Sequence, residues 1–527
     1  MANRMGMYMR QAVNWVRRRR EARRASNRSR PMCIRVVLSV LKVLPVMLLA
    51  LITYSVWFYY GEPAITTDYV ELIRQLDTPS EVVGENGWPH YARAAELYIA
   101  PNDAMQEILY RSGLRRFDDA NDTEQKIIRR WVWDNNAAWR ELEAGSRQGY
   151  CIPEWGHGEQ EKLLIYYSPT WYSAFQVGNI GIWRLRIAEV EGDFRAMLED
   201  SMTLIRVGGQ LLDTHSLRMW GLIFDEIGRR KLLQLVRSAS LSAEALKEVQ
   251  EELEDIFDGS YPSPSRALDR LYFLSDVERL FSRGGPGGGH LLPRSLGKYQ
   301  EYDYMLESSL TLGAIAYCYL VPSEYDGMIH FLEGTIGKNR TAALVRTVIC
   351  LPHARRRKTV AMANKLFDAL EVEDKMTPYA LHTSKSKRAW EVADDLSRNR
   401  YWVVWSNLGG STHSWAHMHY EGKMLHEAVQ TVLALRRWRL DKGEYPGRLQ
   451  PLVTGGYLHK IAMDPYSDKP LIYRRMEDDF LLYSVGRNFK DDGGKAASLG
   501  RWGSEWGKGD AVFWPAPPER RDVESPP

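Results

Sequence analysis

The sequence predicts a mainly α protein. It combines an N-terminal transmembrane helix, an ectodomain of α-helical hairpins, and a small C-terminal α+β module with a helix laid on an antiparallel sheet. Three observations carry this. Residues 43–60 contain no charged side chain. From about residue 67 to 407, apolar residues recur mainly at three- and four-residue intervals, the helical period. After about residue 440 the pattern becomes short β-like runs separated by Gly, Pro and Asp.

Charge places the first element. Residues 1–42 hold twelve Lys and Arg against the single acid Glu21, a charge of +11, while the rest of the chain carries −8; the 527 residues together show only +3. Such asymmetry suggests a membrane or nucleic-acid contact at one end. Hydrophobic content of 44% and aromatic content of 11% exclude wholesale disorder. Four cysteines in this length exclude a disulfide scaffold.

Residues 36–60 admit only Lys42 as a charge, about the length that crosses a ~30 Å hydrocarbon core. Tyr54, Trp57, Tyr59 and Tyr60 gather at the distal end, where amphipathic rings favour the interface. The basic flank precedes the span, and Glu62 and Asp68 follow it. The positive-inside rule then makes residues 1–35 a cytoplasmic tail and exports the remainder. The expected location is the inner (cytoplasmic) membrane, crossed once, with the C-terminal ectodomain in the periplasm or another extracytoplasmic space. The rival reading, a cleaved signal peptide, meets a long apolar run and no clear small-x-small site. Arg17 to Arg24 then read as a topology signal beside anionic lipid. The lipid bilayer and envelope proteins are the expected partners, and no nucleic acid is expected. Cys33 lies at the membrane; Cys151, Cys318 and Cys350 allow at most one internal bridge, and apolar surroundings favour buried free thiols for Cys318 and Cys350.

The ectodomain, residues 61–410, reads as helices over 182–190, 194–212 and 217–236, with another starting at the N-cap Ser242. Short turns such as Gly192-Asp193 make antiparallel hairpins the expected packing. The glycine-rich stretch 284–289 reads as a flexible loop without the spacing of a phosphate-binding motif. The apolar run 308–321 is short for a span and reads as a buried helix. Arg355 to Lys358 read as a solvated face.

Residues 411–514 form the C-terminal module, followed by a Pro-rich tail, 515–527. A helix over 421–440 buries Met424, Leu425, Ala428, Val429, Val432, Leu433 and Leu435 on one stripe and carries Arg436, Arg437 and Arg439 in its last turn, where cations complement the helix dipole. Strand-like pieces follow at 470–474, 479–485 and 510–514.

The order of motifs here is specific: Glu444-Tyr445-Pro446, Leu449-Gln450-Pro451-Leu452-Val453, Tyr457-Leu458, Asp464-Pro465, Leu471 to Arg474, Leu482 to Gly486, Asp491 to Gly494 and Asp510 to Trp514. It resembles the globular part of the major pseudopilin of type II secretion systems, over about a fifth of the chain. It is also similar to the ending of a class of planctomycete membrane-anchored envelope proteins with an N-terminal anchor and a helical middle, a resemblance that implies architecture without an activity. The pseudopilin resemblance implies calcium as a cofactor. By position, the carried-over ligands are the Leu482 carbonyl, Ser484, Asn488 and Asp510. Asp491 and Asp492 are added on chemical grounds, as hard oxygen donors of the kind Ca²⁺ takes in sets of about six to eight. Asn488 stands where the family usually has Asp. The processing Gly and early Glu of a pilin helix are absent around Cys33-Ile34-Arg35, so a filament-forming pilin is not expected.

Catalytic signals are sparse. His413 and His417 are four apart and His419 and His426 follow, but no Glu occupies the base position of a metalloprotease helix. Neither a nucleophile elbow nor a P-loop is present. Ser411 lies near His413 in sequence, which says nothing about a triad. These observations point to a membrane-anchored, non-enzymatic scaffold or protein-interaction protein of the envelope, with a link to secretion machinery. The alternative is an exported, metal-assisted hydrolase with its site among the helices.

Overall fold

The computed structural model describes residues 17–18, 32–63, 65–78, 84–110, 117–152, 169–214, 217–257, 261–262, 265–296, 334–335, 338–385, 388–389, 391–392, 414–496 and 509–516. The apolar run 308–321, Cys318, Ser411, His413 and most of both tails lie outside these residues, as do the side chains of residues 32–43. The protein is mainly helical with a small antiparallel sheet. In chain order the helices are α1 (Met32–Tyr60), α2 (Tyr69–Asp77), α3 (Trp88–Leu97), α4 (Asp103–Tyr110), α5 (Asp122–Asp134), α6 (Asn136–Ser146), α7 (Pro169–Glu191) and α8 (Phe194–Asp213). Then come α9 (Arg218–Ser238), α10 (Ala243–Asp255), α11 (Ala267–Leu280), α12 (Lys338–Cys350), α13 (Arg356–Asp374), α14 (Pro378–Thr383), α15 (Ser414–Lys442) and α16 (Gln450–Thr454). The strands are β1 (Met463–Asp464), β2 (Lys469–Pro470), β3 (Ile472–Arg475), β4 (Phe480–Ser484) and β5 (Ala511–Trp514).

Two compact units emerge: Met1–Ala64 with Arg279–Arg356, and Ile65–Glu278 with Arg357–Pro527. Residues 279–356 therefore group with the N-terminal helix, whereas the sequence suggested one ectodomain over 61–410. In the first unit α1 is 29 residues long and contains Pro45. The expected transmembrane helix is not borne out by the described residues, among which no helix is long and apolar enough to cross a membrane. The described side chains of α1 begin at Leu44. The glycine-rich stretch is the tip of a hairpin: Phe281 pairs with Leu291, and Pro286–Gly288 make a single 3₁₀ turn between them. Cys350 is a buried free thiol, as expected.

The second unit is built from helical hairpins as the periodicity indicated. Gly192 adopts a left-handed φ of 69°, and the Asp193 side chain accepts the Ala196 amide at 3.0 Å, ending α7 and starting α8. Ser242 caps α10 by accepting the Ala245 amide at 3.1 Å. α8 and α9 approach to backbone contact. A Cβ on Gly208 would lie 2.6 Å from the Asp225 nitrogen, and one on Gly221 or Gly228 would meet backbone atoms of α8 at 2.6 to 2.7 Å. Glycine costs a helix roughly 1 kcal/mol relative to alanine, and here that cost is offset by close packing. A second core gathers Trp88, Tyr91, Trp139, Leu142 and Phe224 from α3, α6 and α9.

In the C-terminal module β3, β4 and β5 form an antiparallel sheet in that order, with β1 and β2 as a separate two-stranded ladder. β4 is central: Leu482 faces Tyr473 on one side and Trp514 on the other. The expected boundary near residue 411 is not a boundary of packing. One core joins Met197, Leu232 and Leu253 of α8–α10 to Val432 of α15 and to Phe480, Leu482 and Trp514 of the sheet. The reason lies in α15, whose residues 428–435 are all buried. A helix buried on every side needs neighbours on every side: α9 and α10 supply one wall and the sheet another.

The backbone contact at Gly208 yields a test. Gly208→Ala should destabilise the protein by about 1–3 kcal/mol, the usual range for overpacking, despite the better helix propensity of alanine. Gly447→Ala, where an added Cβ meets nothing within 4 Å, should leave stability unchanged in the same denaturant melts.

Candidate functional site

Two places combine unusual chemistry with defined geometry: the end of α1 and the loop after β4. Every position of α1 from Leu44 to Trp57 is exposed; Val46, Met47 and Leu49 show 66–67% of their surface. Phe58 instead is buried, because the 281–292 hairpin closes over it. His290 stacks on Phe58 with ring centroids 4.6 Å apart and on Trp57 at 4.3 Å. Its Nε2 lies 3.1 Å from the Phe58 carbonyl, a helix-terminal acceptor with no partner inside the helix. A carbonyl only accepts, so Nε2 carries the proton and Nδ1 faces Ser282 Oγ at 3.1 Å. The Ser282 and His290 backbones are tied by an amide-to-carbonyl bond of 2.9 Å. Burial holds the His290 pKa below the ordinary range, with the Arg355 charge acting in the same direction. Nothing in the local sequence around His290 announces this role, because its partner lies more than two hundred residues away.

The loop after β4 contains the expected calcium ligands, and each described side-chain oxygen donor has a protein partner. Leu482 is fully buried in the core. Ser484 donates to Asp464 Oδ1 at 2.7 Å and accepts the Gly486 amide at 3.0 Å. Asn488 donates to Asp492 at 2.7 Å and accepts the Lys490 amide at 3.0 Å. Asp491 accepts the Tyr483 hydroxyl at 2.8 Å and the Gly493 amide at 2.9 Å. The Gly493 amide, then Tyr483, hold its carboxyl below the usual range. Asp510, fully buried, accepts the amides of Asp492 at 3.1 Å and Gly494 at 2.6 Å. Burial pushes its carboxyl up against these bonds. Among the described residues no three His, Cys, Asp or Glu are grouped to hold a metal ion. In the described part of this loop these oxygens accept protein donors, and residues 497–508 lie outside the described residues.

The residue that organises the loop is Asp464, which the sequence offered only within the Asp464-Pro465 motif. It is fully buried and accepts four hydrogen bonds: from the Tyr466 amide and Ser467 hydroxyl in its own turn, and from the Ser484 hydroxyl and Val485 amide at the end of β4. It thus staples the β1–β2 hairpin to the sheet. Beyond it, Arg487 makes a two-pronged ion pair to Glu421 of α15 at 2.6 and 2.9 Å, and Tyr466 donates to the same carboxylate at 3.0 Å. Phe489 closes this turn with a left-handed φ of 58° and stacks on His382 at 4.0 Å. A bulky residue in that region is strained, and the ion pair and stack hold it there.

The histidines do not converge on a metal. His417 stacks on Tyr466, whereas His419 and His426 pack against Tyr261 at 5.5 and 5.8 Å. Burial, then the charges of Arg218 and Lys423, lower the His419 pKa to about 3; burial also lowers that of His426. They border a fully buried pair, Asp225 and Arg229, joined at 2.7 Å, with the Tyr261 hydroxyl 3.3 Å from the same carboxylate. Burial pushes the Asp225 carboxyl up to about 6, with Arg229 opposing. A helical i,i+4 Asp–Arg pair is too common in sequences to have flagged this one.

Two measurements follow. Asp464→Ala should cost at least about 3 kcal/mol, because it strips buried donors of a charged acceptor, and Ca²⁺ or a chelator should leave the melting temperature of the parent unchanged. The pH dependence turns on His419, neutral in the fold down to about pH 3 but protonated in the unfolded chain below about pH 6.5. Its contribution is thus fully present above pH 6.5 and is lost as pH falls, by about 2 kcal/mol at pH 5. Asp225 works in the opposite sense, so the comparison is made by difference: His419→Gln should show a shallower loss of stability between pH 7 and 5 in urea titrations.

No family model, no curated protein and no solved structure matches the chain.

Proposed function

We propose that the chain is a single-pass membrane-anchored protein of the cell envelope, with residues 1–35 cytoplasmic and an exported, non-enzymatic part that serves as a scaffold or protein-interaction unit. One observation carries this reading: α1 is apolar around its whole circumference and exposed around its whole circumference from residue 44 to 57. A protein groove covers one face of a helix. A bilayer covers all of them, and an exposed apolar surface of this extent marks a contact awaiting its apolar environment. The helix also begins at Met32, and its 29 residues would rise about 43 Å. Thr53 donates to the Leu49 carbonyl at 2.8 Å, the internal satisfaction that lipid requires of a polar group.

The scaffold role is supported by how the second unit uses its buried and half-buried charges. Arg266 grips Asp374 with two bonds of 2.6 and 3.0 Å, and Arg487 grips Glu421 in the same way. Both ties hold segments together that are distant in the chain. The helix, hairpin and three-stranded sheet of residues 414–514 follow the order expected of a pseudopilin-like module, which motivates the link to secretion machinery.

Alkaline carbonate extraction of membranes tests the anchor. The full chain should stay in the pellet, and a chain beginning at residue 61 should move to the supernatant. Reporter fusions at the two ends should place them on opposite sides. Release of the full chain by carbonate would sink this reading.

A further inference from the structure

We infer that the hairpin closing over the end of α1 is a basic collar that binds the phosphate groups of anionic phospholipids. This rests on the membrane reading of α1 and names the lipid it meets there. The sequence after the helix looks acidic, with Glu62 next to Tyr60-Gly61. The fold reverses that impression by bringing arginines from three separate segments to the same place.

Arg294 lies over the Tyr60 ring, its guanidinium carbon 5.5 Å from the ring centre. Arg283 follows Ser282, which binds His290 beneath Phe58, and its own amide donates to the Glu62 carbonyl at 3.0 Å. Arg356 donates its amide to the Gly289 carbonyl at 3.1 Å. The aliphatic part of Arg355 packs against Gly287 so closely that a Cβ there would sit 2.7 Å away. Among the described residues, Arg294 thus lies over the last ring of α1, and backbone bonds fix Arg283 to the segment just after the helix and Arg356 to the hairpin, with the acid Glu62 in that segment. Arg283 and Arg294 are exposed.

The level of this collar decides its ligand. Trp57 and Tyr60 are exposed rings at the end of the apolar surface, the residue types that settle among headgroups. The arginines stand at and just beyond Tyr60, the depth of the phosphates when the helix is inserted. Guanidinium groups pair with phosphate through a planar fork, and basic side chains are drawn to an anionic surface. The His290 clamp fixes the hairpin to the helix end, so the charges are already in place when the helix enters the bilayer.

The test reconstitutes the full chain in phosphatidylcholine vesicles and in vesicles that also contain phosphatidylglycerol. Thermal melts and native mass spectrometry of retained lipid are the readouts. The parent should melt higher and retain phosphatidylglycerol selectively, with both effects weakened by salt. Arg283→Gln with Arg294→Gln should lose most of the selectivity while still inserting into neutral vesicles, and the Arg→Lys pair should restore much of it. Equal behaviour in both lipids, or selectivity that survives the Gln pair, would overturn the collar and leave the anchor standing. The same stabilisation by inorganic phosphate in detergent would overturn the bilayer as the source. Failure to insert into either vesicle would remove the anchor itself, and the collar with it.

Discussion

The second unit depends on the burial of one helix from every side. α15 has no solvent-facing stripe over residues 428–435, so neither the helical hairpins nor the small sheet can be a finished structure without it. Val432 and its neighbours belong to one core with Leu232 and Leu253 on one side and Phe480 and Trp514 on the other. A small three-stranded sheet has little apolar area of its own and gains stability by packing against a helix. Here it borrows a core from the larger helical assembly.

Around that core the protein places charged groups where they join distant segments. Asp464 has four donors and no cation among its hydrogen-bond partners, so its charge is neutralised by dipoles alone. Arg487 and Glu421 fix the angle between the turn after β4 and α15, and Arg266 and Asp374 tie α13 to the start of α11. Replacing such pairs by apolar residues can be neutral, but breaking them is costly. They therefore specify geometry more than they add stability. The glycines between α8 and α9 do related work without charge, setting a separation that no other residue permits.

Local signals were read well from sequence. The cap at Ser242, the Gly192-Asp193 turn and the stripe of α15 all have short-range causes; α8 falls within a residue of its expected limits and α10 begins just after its cap, whereas α15 starts seven residues earlier than expected. The three strands were legible as short β-like runs between turn residues. What escaped was anything requiring two distant residues. Asp464 appeared only as part of a short motif because its partners Ser484 and Val485 are about twenty positions on. His290 was not singled out because the carbonyl it binds lies more than two hundred residues earlier. The hydrogen bonds that Asp491 and Asp510 accept from backbone amides, and that Asp492 accepts from the Asn488 side chain, were likewise not legible from composition. The module boundary was placed at a change of periodicity, and periodicity is blind to which core a face joins.

A shared core also sets an order on synthesis. The apolar faces of α8, α9 and α10 are complete in sequence by residue 255, yet α15 and the sheet that cover them are supplied by residues 424–516. A chain emerging from its N-terminus must carry those faces uncovered while everything between is made. Such contacts, far apart along the chain, form late and leave sticky intermediates. The arrangement defines an obligation: the early helices must be kept from aggregating until the late ones arrive.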